Sequence, residues 1–597
     1  MPSRYVVGID LGTTNCALAY IDTGAGEHPQ CREMPIPQVV APGLVEERPL
    51  LPSFLYLPGP NEQPAGALKL PWAAERDFAI GEFARQFGAQ VPTRLVSSAK
   101  SWLCHPGVDR RGPILPWKAP DGARRVSPLQ AATMNLQHLA EVWNSTLGKT
   151  LPEHRLEQQD IILTVPASFD AVARELTVEA ARAAGMEHLT LLEEPQAAFY
   201  AWLDAVADGW REQVEVGDLI LVADVGGGTT DFTLIEVGED RGNLALTRVA
   251  VGDHLLLGGD NMDLALAYKA SQMFGTKLDA NQLQMLAHSA RSAKEQIFAD
   301  PKLAKASVTV LGRGRSVIGG TLKAELSRQD IESVALDGFF PTCSLDAQPT
   351  KARAAGFQEL GLPYASDPAV TKHLASFLTR QAESLASRKS ALPTKVLFNG
   401  GVFKSSPLQQ RLLDVMNQWS SSAKQPNCTT LTGTSLDVAV AHGAAYYGLV
   451  RRGKGIRIRG GTARAYYVGI ETAQPAIPGM PPPLKALCVA PFGMEEGTET
   501  DVPSQEFGLV VGEPVEFRFL GSTTRRQDTP GTLIDDWQDE IDELAPVAMT
   551  LDDAAKAGRV PVHLHCKVTE VGQLELWCQS RDGSQRWKLE FNVREGK

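Results

Sequence analysis

Apolar runs that end at glycine-rich turns recur along the first three quarters of the chain. Near the N-terminus, two runs of alternating Val, Ile and Tyr flank the segment DLGTT at residues 10–14, which predicts two short strands joined by a tight turn. The pattern returns at residues 219–237, where an apolar run ends at Asp224 and the segment GGGTT at 226–230 precedes another alternating run. One motif, an aspartate followed by a glycine turn and paired threonines, therefore occurs once in each half of this region.

Helical patterns lie between and after these strands. An apolar run at 161–165 precedes an alanine-rich segment, which predicts a helix from Asp170, a capping residue, to Gly185, a helix stop. A second helix is expected after the short strand at 189–194, with Pro195 at its first position, where a proline sacrifices no backbone hydrogen bond. Strand, glycine turn and helix follow again up to Val450. Alternating strands and helices predict an α/β architecture.

The pattern changes after Val450. Residues 451–463 form a basic, glycine-rich stretch, which we interpret as an interdomain linker. Beyond it, residues 464–597 alternate apolar and polar positions around Gly, Pro and Asp turns, as antiparallel strands do. We therefore expect a large α/β part at 1–450, the linker, and a small all-β, sandwich-like domain at 464–597. The segment 339–370 is interpreted as a surface insertion, with a role in covering a cleft as the alternative.

Composition narrows the choice of partners. The 597 residues carry a net charge of -12, which disfavours a nucleic-acid partner because phosphate binding needs a basic surface. Eight cysteines are scattered without a CxxC pair, as is typical of free thiols in a reducing compartment. The sequence has neither a signal-peptide pattern nor an apolar run of about 20 residues. We therefore expect a cytoplasmic protein with no membrane partner.

The two glycine turns can bind an anion, because glycine lets backbone N–H groups approach it closely. If the turns face each other, they can grip a polyphosphate from both sides. Asp10 and Asp224 would then lie beside the same phosphates, an arrangement that needs Mg²⁺ to separate the negative charges. The alternative for each aspartate is to cap its own turn. The P-loop pattern GxxxxGK[ST] does not occur, and no GxGxxG follows a strand.

Seven motifs between residues 5 and 450 match one family in order and combination. They are IDLGTTNC, TVPASFDAVARELT, LEEPQAAFYAW, DVGGGTTDF, LGGDNMD, FNGGVF and VAVAHGAA. Together they resemble the DnaK-type seventy-kilodalton heat-shock chaperones, a branch of the actin-like ATPase superfamily. The resemblance implies a two-lobed, ribonuclease H-like ATPase domain that binds ATP or ADP with Mg²⁺, with K⁺ as a further candidate cation. It also implies polypeptide clients and co-chaperones as partners.

The resemblance assigns roles to individual positions. The catalytic positions correspond to Asp10, Arg85, Glu194, Asp224 and Asp231. Of these, Asp10 would hold the metal, and Glu194 and Asp224 would hold it through water. The relay that links the nucleotide state to the second domain corresponds to Pro166 and Arg174. The nucleotide contacts correspond to a larger set: Gly12, Thr13, Thr14, Asn15, Gly226, Gly227, Gly228, Thr229, Lys294, Gly400, Gly401, Lys404 and Asp437.

The position of the family's catalytic lysine departs from the pattern. Gly81, Ala84, Pro92 and Lys100 preserve the surrounding frame, but the residue in the lysine slot is Arg85. A planar guanidinium does not replace a compact ammonium that orients water. We therefore expect slow hydrolysis.

Other departures concern the base and the second domain. Around the matching Lys294, the residues Arg291, Glu295, Phe298 and Lys404 differ from the family's adenine pocket, which leaves the base selectivity open. The usual apolar interdomain linker is replaced by the basic stretch, and we expect no helical lid after the β-rich part.

Two functions fit these observations. The first is a slow ATPase chaperone, in which ATP bound between two lobes is coupled to polypeptide binding by the β-rich domain. The second is a nucleotide-sensing adaptor with little turnover that signals to one dedicated partner, which Arg85 and the altered linker favour. A small-molecule kinase on the same fold is disfavoured, because no sugar-binding segment is evident.

Overall fold

The structure is a computed structural model, and its described residues cover most of the chain. They are 3–26, 29–105, 107–117, 119–240, 243–312, 320–350, 362, 364–382, 392–433, 435–454, 462, 464–471, 484–494, 498–503, 506–511, 514–522, 524–544, 547–550, 558–568, 574–581, 583 and 585–589. Most of the basic stretch at 451–463 lies outside these residues, as does the middle of the segment at 339–370.

The first part of the chain, residues 3–213, contains one large sheet with helices packed against it. Its strands are β1 (Tyr5–Leu11), β2 (Asn15–Asp22), β3 (Cys31–Glu33), β4 (Ile36–Ala41), β5 (Leu44–Arg48), β6 (Leu51–Pro52), β7 (Leu55–Tyr56), β8 (Ala79–Ile80), β9 (Leu95–Val96), β10 (Asp160–Val165) and β11 (Leu189–Glu193). Its helices are α1 (Glu82–Gly88), α2 (Ala99–Cys104), α3 (Pro128–Ser145), α4 (Ala171–Ala183), α5 (Glu194–Val206) and α6 (Trp210–Gln213). We call this part the first unit.

The next part, residues 219–433, is built around a second large sheet and is called the second unit. Its strands are β12 (Leu219–Val225), β13 (Thr230–Asp240), β14 (Asn243–Val251), β15 (Lys305–Leu311), β16 (Thr321–Ser327), β17 (Lys395–Asn399) and β18 (Thr429–Thr430). Its helices are α7 (Gly259–Ser271), α8 (Ala280–Ala299), α9 (Arg328–Ala335), α10 (Val370–Gln381) and α11 (Ser406–Ser422). Helix α12 (Ala439–Arg451) follows it.

The two large sheets share one topology. The first has the order β11-β10-β1-β2-β3, and the second has the order β14-β13-β12-β17-β18. In each, the strand that carries the motif aspartate as its penultimate residue pairs antiparallel with the next strand and parallel with a later one. The predicted strand, turn and strand arrangement is therefore confirmed in both halves, and so is the α/β class.

Helices α5 and α12 join the two units. One apolar core combines Val6 and Ile162 of the first sheet with Val222 of the second and with residues of both helices. The residue Gly443 of α12 allows this packing, because a Cβ there would lie 1.7 Å from the carbonyl oxygen of Ala197 in α5. The strand ends that carry the two motif aspartates are thereby fixed relative to each other.

The predicted helices near the relay motif are confirmed. Helix α4 begins after Asp170, whose carboxylate accepts a hydrogen bond from the Ala173 amide at 2.7 Å, and the chain leaves it through Gly185 with φ of +86°. Helix α5 begins at Glu194, one residue earlier than predicted, so Pro195 is the second residue of its first turn.

The C-terminal part is built from strands in its described residues. They are β19 (Ala465–Glu471), β20 (Leu484–Ala490), β21 (Glu499–Asp501), β22 (Phe507–Val511), β23 (Pro514–Phe517), β24 (Phe519–Ser522), β25 (Leu533–Ile534), β26 (Asp542–Glu543), β27 (Val547–Thr550), β28 (Gly558–Val568), β29 (Leu574–Ser580) and β30 (Arg586–Leu589). The sheets β25-β20-β19-β24-β26 and β21-β28-β29-β30 both contribute to one apolar core. Between residues 464 and 589, the structure describes strands and turns but no helix.

The flanks of the segment 339–370 lie on the second unit. The indole of Trp419 donates to the carbonyl oxygen of Cys343 at 2.7 Å, and Thr379 donates to that of Leu345 at 3.0 Å. At the far end, the Ala365 amide donates to Leu256 at 3.2 Å, while Leu362 packs against the core of the first unit. The described flanks thus pack on the second unit, and one of them reaches across to the first unit.

Candidate functional site

The two glycine turns face each other across a cavity of about 490 Å³, which we call the cleft. The turns are in van der Waals contact: a Cβ at Gly227 would lie 2.1 Å from Thr14 Oγ1, and one at Gly228 would lie 2.8 Å from Thr13 Cγ2. Only glycine permits this approach. The Thr14 hydroxyl is buried and has no hydrogen-bond partner among the described residues, so a polar group remains available between the turns.

The floor of the cleft is acidic, because the penultimate residues of β1 and β12, Asp10 and Asp224, lie there. The neighbouring parallel strand supplies a donor in both cases: Thr164 Oγ1 donates to Asp10 at 3.3 Å, and Asn399 Nδ2 donates to Asp224 at 2.6 Å. Glu194, the first residue of α5, is the third carboxylate that lines the cleft.

These carboxylates perturb one another. Burial and then the charge of Glu194 raise the pKa of Asp10 to about 7, while burial, Glu194 and Asp231 raise the pKa of Asp224 to about 8. Burial and neighbouring negative charges thus disfavour the ionised form of both carboxyl groups, which a bound cation would favour. The donor set therefore fits a hard cation such as Mg²⁺, which prefers carboxylate oxygens and water. Among the described residues, no three His, Cys, Asp or Glu side chains are grouped closely enough to ligate one metal ion directly.

Lys100 supplies the cation at this floor. Its ammonium is 8% exposed and forms an ion pair with the Glu194 carboxylate. Burial alone would lower the pKa of Lys100, but the charges of Glu194 and Asp10 outweigh burial and raise it. In the sequence, Lys100 served only as a spacing marker. Its role in the site depends on a contact with a residue 94 positions away, which the local pattern does not reveal.

Arg85 lines the cleft but is held by its own helix. Its guanidinium donates to both carboxylate oxygens of Glu82, at 2.7 and 2.9 Å. The side chain is 35% exposed. The expected positive charge is thus present on the cleft wall, but it is already paired.

The residues that the resemblance assigns to the adenosine side also line the cleft. Lys294 is paired with Asp263 at 2.6 Å, and Lys404 is paired with Asp437. Gly400 has φ of +86° and sits close to β12, since a Cβ there would lie 2.4 Å from the Val225 carbonyl oxygen. The structure brings most of the predicted nucleotide contacts to this one cavity: Gly12, Thr13, Thr14, Asn15, Gly226, Gly227, Thr229, Lys294, Gly400, Gly401, Lys404 and Asp437.

The departures from the family's adenine pocket also lie here. Arg291 is engaged by Asp260 at 2.5 Å and by Asp263 at 2.9 Å, so its guanidinium is not free to contact a base. Phe298 contributes an aromatic wall that is 8% exposed, and the buried hydroxyl of Ser405 has no hydrogen-bond partner among the described residues. An aromatic ring and an unpaired hydroxyl are groups that can contact a base.

The remaining predicted residues lie beside the cleft. Gly228 forms part of the contact between the turns, and Asp231 is buried behind Asp224 on the neighbouring strand. Pro166 begins a turn that Phe169 closes with a 3.2 Å backbone hydrogen bond, and Arg174 donates to the Phe169 carbonyl oxygen at 3.2 Å. The two predicted relay residues are therefore in one local network.

Glu193 connects this network to the second unit. Its buried carboxylate accepts from Arg174 of α4 at 2.8 Å and from Arg248 of β14. The first arginine belongs to the first unit and the second belongs to the second unit. We call this arrangement the Glu193 bridge. The sequence gives no sign of it, because the partners lie 19 and 55 positions from Glu193.

In the portion of the chain that the structure covers, no helix combines the length and apolar character needed to cross a bilayer.

Comparison with known proteins points to one family. A family model described as Hsp70 protein matches residues 83–342. A chaperone protein HscA homolog from Pseudomonas aeruginosa is 31% identical over 309 residues, which is 49% of this chain and 42% of that protein. The chaperone proteins HscA from Xenorhabdus nematophila and Photorhabdus laumondii are 31% and 32% identical, over 47% and 44% of this chain and 40% and 37% of theirs. These matches span about two fifths of the relatives' length.

Proposed function

We propose that this chain, a divergent member of the Hsp70 family, binds Mg·ATP in the cleft, hydrolyses it slowly to ADP and phosphate, and couples this cycle to the binding of a polypeptide. The observation that carries the proposal is the contact between Thr14 and Gly227, which sets two anion-binding turns against each other above an acidic floor. One such turn is common in proteins, whereas an opposed pair suits a polyphosphate.

Different residues of the cleft would contact different parts of the nucleotide. Backbone N–H groups of the two turns and the free hydroxyl of Thr14 would bind the phosphates. Asp10, Asp224 and Glu194 would hold Mg²⁺, largely through water, and the bound ion would offset the charge of both the phosphates and the carboxylates. The base would lie between α8 and α11, against Phe298 and within reach of Ser405.

Lys100 would perform the role that the family gives to the lysine at the position of Arg85. Its ammonium lies at the acidic floor and is paired with Glu194, so both groups can orient one water molecule for attack on the terminal phosphate. Phosphoryl transfer depends on such positioning and on charge stabilisation rather than on a covalent intermediate. Water is the attacking nucleophile, and the products are ADP and inorganic phosphate.

We further propose that successive segments of the chain have different functions. Residues 1–450 form a two-lobed, actin-like ATPase domain, in which the first and second units are the lobes. Residues 451–463 are the linker, and 464–597 form a sandwich-like domain that binds an unfolded or specific polypeptide, with co-chaperones as further partners. The Glu193 bridge supports this coupling, because Arg174 contacts both Glu193 and the turn that begins at Pro166.

Release of a fluorescently labelled unfolded peptide from the full chain, followed by anisotropy, tests the coupling. We expect fast release whose rate differs between ATP, ADP and no nucleotide, and we expect the difference to vanish in Pro166→Ala and Arg174→Ala. Identical rates in all three conditions would contradict the coupled chaperone and would favour an adaptor. A parallel product analysis should find free phosphate, since transfer to a small molecule would indicate a kinase.

A further inference from the structure

A histidine sits where the two units meet behind the cleft. Ser168 Oγ lies 2.5 Å from Asp231 Oδ1 and 2.8 Å from His254 Nδ1, and the same histidine nitrogen lies 3.3 Å from Asp231 Oδ1. Ser168 belongs to the first unit, in the turn that begins at Pro166. Asp231 and His254 belong to the second unit. We call these three residues the seam cluster.

Local structure explains how His254 reaches this position. The loop after β14 is held against the start of β13 by two backbone hydrogen bonds, from Gly252 to Phe232 at 2.8 Å and from Thr230 to Leu255 at 2.9 Å. These bonds place His254 over Asp231, which is the next residue along β13. The side chains are 16% and 7% exposed, respectively, so the cluster is largely shielded from water.

The chemistry of the three groups fixes the direction of the hydrogen bonds. An ionised carboxylate can only accept, so the Ser168 hydroxyl donates its one proton to Asp231. The same hydroxyl must then accept from His254, which requires a proton on Nδ1. Burial alone would lower the pKa of His254, but Asp231 outweighs it and raises that pKa to about 10. The histidine is therefore a donor at Nδ1.

The seam cluster is also linked to the floor of the cleft. The thiol of Cys104 lies near enough to the His254 ring to contribute to its raised pKa, and Cys104 Sγ lies 3.1 Å from the carbonyl oxygen of Lys100. Lys100 in turn forms the ion pair with Glu194. On its other side, Asp231 pairs with Asp224 across the two strands. His254 thus lies between Lys100 and Asp224, both of which the proposed function places in the cleft.

We propose that His254 is a positioning residue: its Nδ1–H holds Ser168 and Asp231 together across the junction of the two units and so fixes the Pro166 turn relative to the floor of the cleft. This inference rests on the proposed ATPase function. The histidine does not line the cleft, so it acts on hydrolysis through Asp231 and Ser168 rather than through the nucleotide.

Kinetics of matched variants test this role. In His254→Ala we expect kcat to fall by about 10-fold or more with KM for ATP changed by less than about 3-fold, because positioning affects the transition state rather than nucleotide binding. His254→Asn should remain within about 3-fold of the wild type, because its amide can donate from the position of Nδ1. Ser168→Ala should cost little further activity in the His254→Ala background, as expected for groups that act as one unit.

A variant of a second histidine separates the loss of positioning from a general loss of stability. His138 is buried in the first unit, where it contacts the Pro37 carbonyl oxygen and Arg76. His138→Asn should lower the melting temperature without changing kcat. Equal losses of kcat in His254→Ala and His138→Asn at equal melting temperatures would overturn the proposal, and so would failure of His254→Asn to retain activity while folded.

A measurement that does not depend on hydrolysis is the ¹⁵N spectrum of the histidine-labelled full chain, with His254 assigned by its loss in His254→Asn. We expect a proton on Nδ1 and a shift when Mg²⁺ and a non-hydrolysable ATP analogue are added, with that shift lost in Ser168→Ala. The positioning role would be overturned, even if ATP is hydrolysed, by either of two results. One is a His254 Nδ1 that carries no proton, and the other is a His254 resonance that does not shift when nucleotide binds. A wild type that binds nucleotide without hydrolysis would instead refute the ATPase proposal, and the spectrum would still decide the role of His254.

Discussion

The ammonium of Lys100 is ion-paired with the carboxylate of Glu194 at the floor of the cleft. This pair joins the first turn of α2 to the first residue of α5, and it places a compact cation beside Asp10. Arg85, which occupies the family's lysine slot, is instead bonded to Glu82 of its own helix. The positive charge needed for phosphoryl transfer is therefore present, but it comes from a different residue.

This arrangement predicts that Lys100 matters more for turnover than Arg85. Lys100→Met should reduce the rate of phosphate release by about 100-fold or more, because it removes the ammonium from the acidic floor. Arg85→Lys, measured under the same saturating Mg·ATP, should change the rate by less than about 3-fold. A larger loss in Arg85→Lys than in Lys100→Met would show that the guanidinium is the catalytic cation.

Gly227 provides a test of the opposed turns. Gly227→Ala should weaken ATP binding by about 10-fold or more, because the new methyl group would lie 2.1 Å from Thr14 Oγ1 and push the turns apart. Gly226→Ala is the matched control, since its nearest neighbour would be 3.6 Å away. Calorimetric titration of both variants with ATP measures the difference. Equal affinities in the two variants would argue against phosphate binding between the turns.

The acidic floor predicts how the stability of the nucleotide-free protein depends on pH. The pKa of Asp10 is about 7 and that of Asp224 about 8 in the folded chain, against about 3.9 in an unfolded one. Between pH 4 and 8 the folded state therefore holds protons that the unfolded state releases, so the free energy of unfolding falls as pH rises.

Melting temperatures of the wild type and Asp224→Asn should diverge accordingly. The substitution removes one of the two groups, so its melting temperature should exceed that of the wild type by an amount that grows from pH 5.5 to pH 8. Mg·ADP should reduce this advantage by stabilising the wild type. A difference that is constant with pH would mean that Asp224 titrates normally.

The Glu193 bridge makes a prediction about the junction of the two units. Glu193→Gln leaves the guanidinium groups of Arg174 and Arg248 without their shared carboxylate, and we expect a loss of about 3–5 kcal/mol in the free energy of unfolding. Arg248→Met leaves Glu193 paired with Arg174, so a smaller loss is expected. Urea denaturation of the full chain compares the two. The reverse order would indicate that the bridge does not hold the units together.

Much of the fold could be predicted from the sequence, because its signals are local. The turns after Asp10 and Asp224, the cap at Asp170 and the first-turn Pro195 each depend on neighbouring residues, and all are found in the structure. The repeated motif also indicated that the two turns would share one anion. That inference depended only on the same motif occurring in both halves of the chain.

The long-range polar contacts in and around the cleft could not be predicted in the same way. The pairing of Lys100 with Glu194, of Glu193 with Arg248 and of Ser168 with His254 depends on how distant segments pack, and no local pattern in the chain records such packing. Arg85 shows the converse: its spacing matched a catalytic position, but the carboxylate three residues before it in the same helix turn binds its guanidinium.

The most direct test of the central claim is the rate of phosphate release from saturating Mg·ATP by the purified wild type and by Asp224→Asn, with Asp10→Asn as the second variant. Each substitution removes a negative charge from the floor of the cleft while keeping the shape of the side chain, so the circular dichroism spectrum should not change. We predict that phosphate release by each variant falls at least about 100-fold below that of the wild type. Equal rates in the wild type and both variants would contradict the assignment of this cleft as the site of ATP hydrolysis.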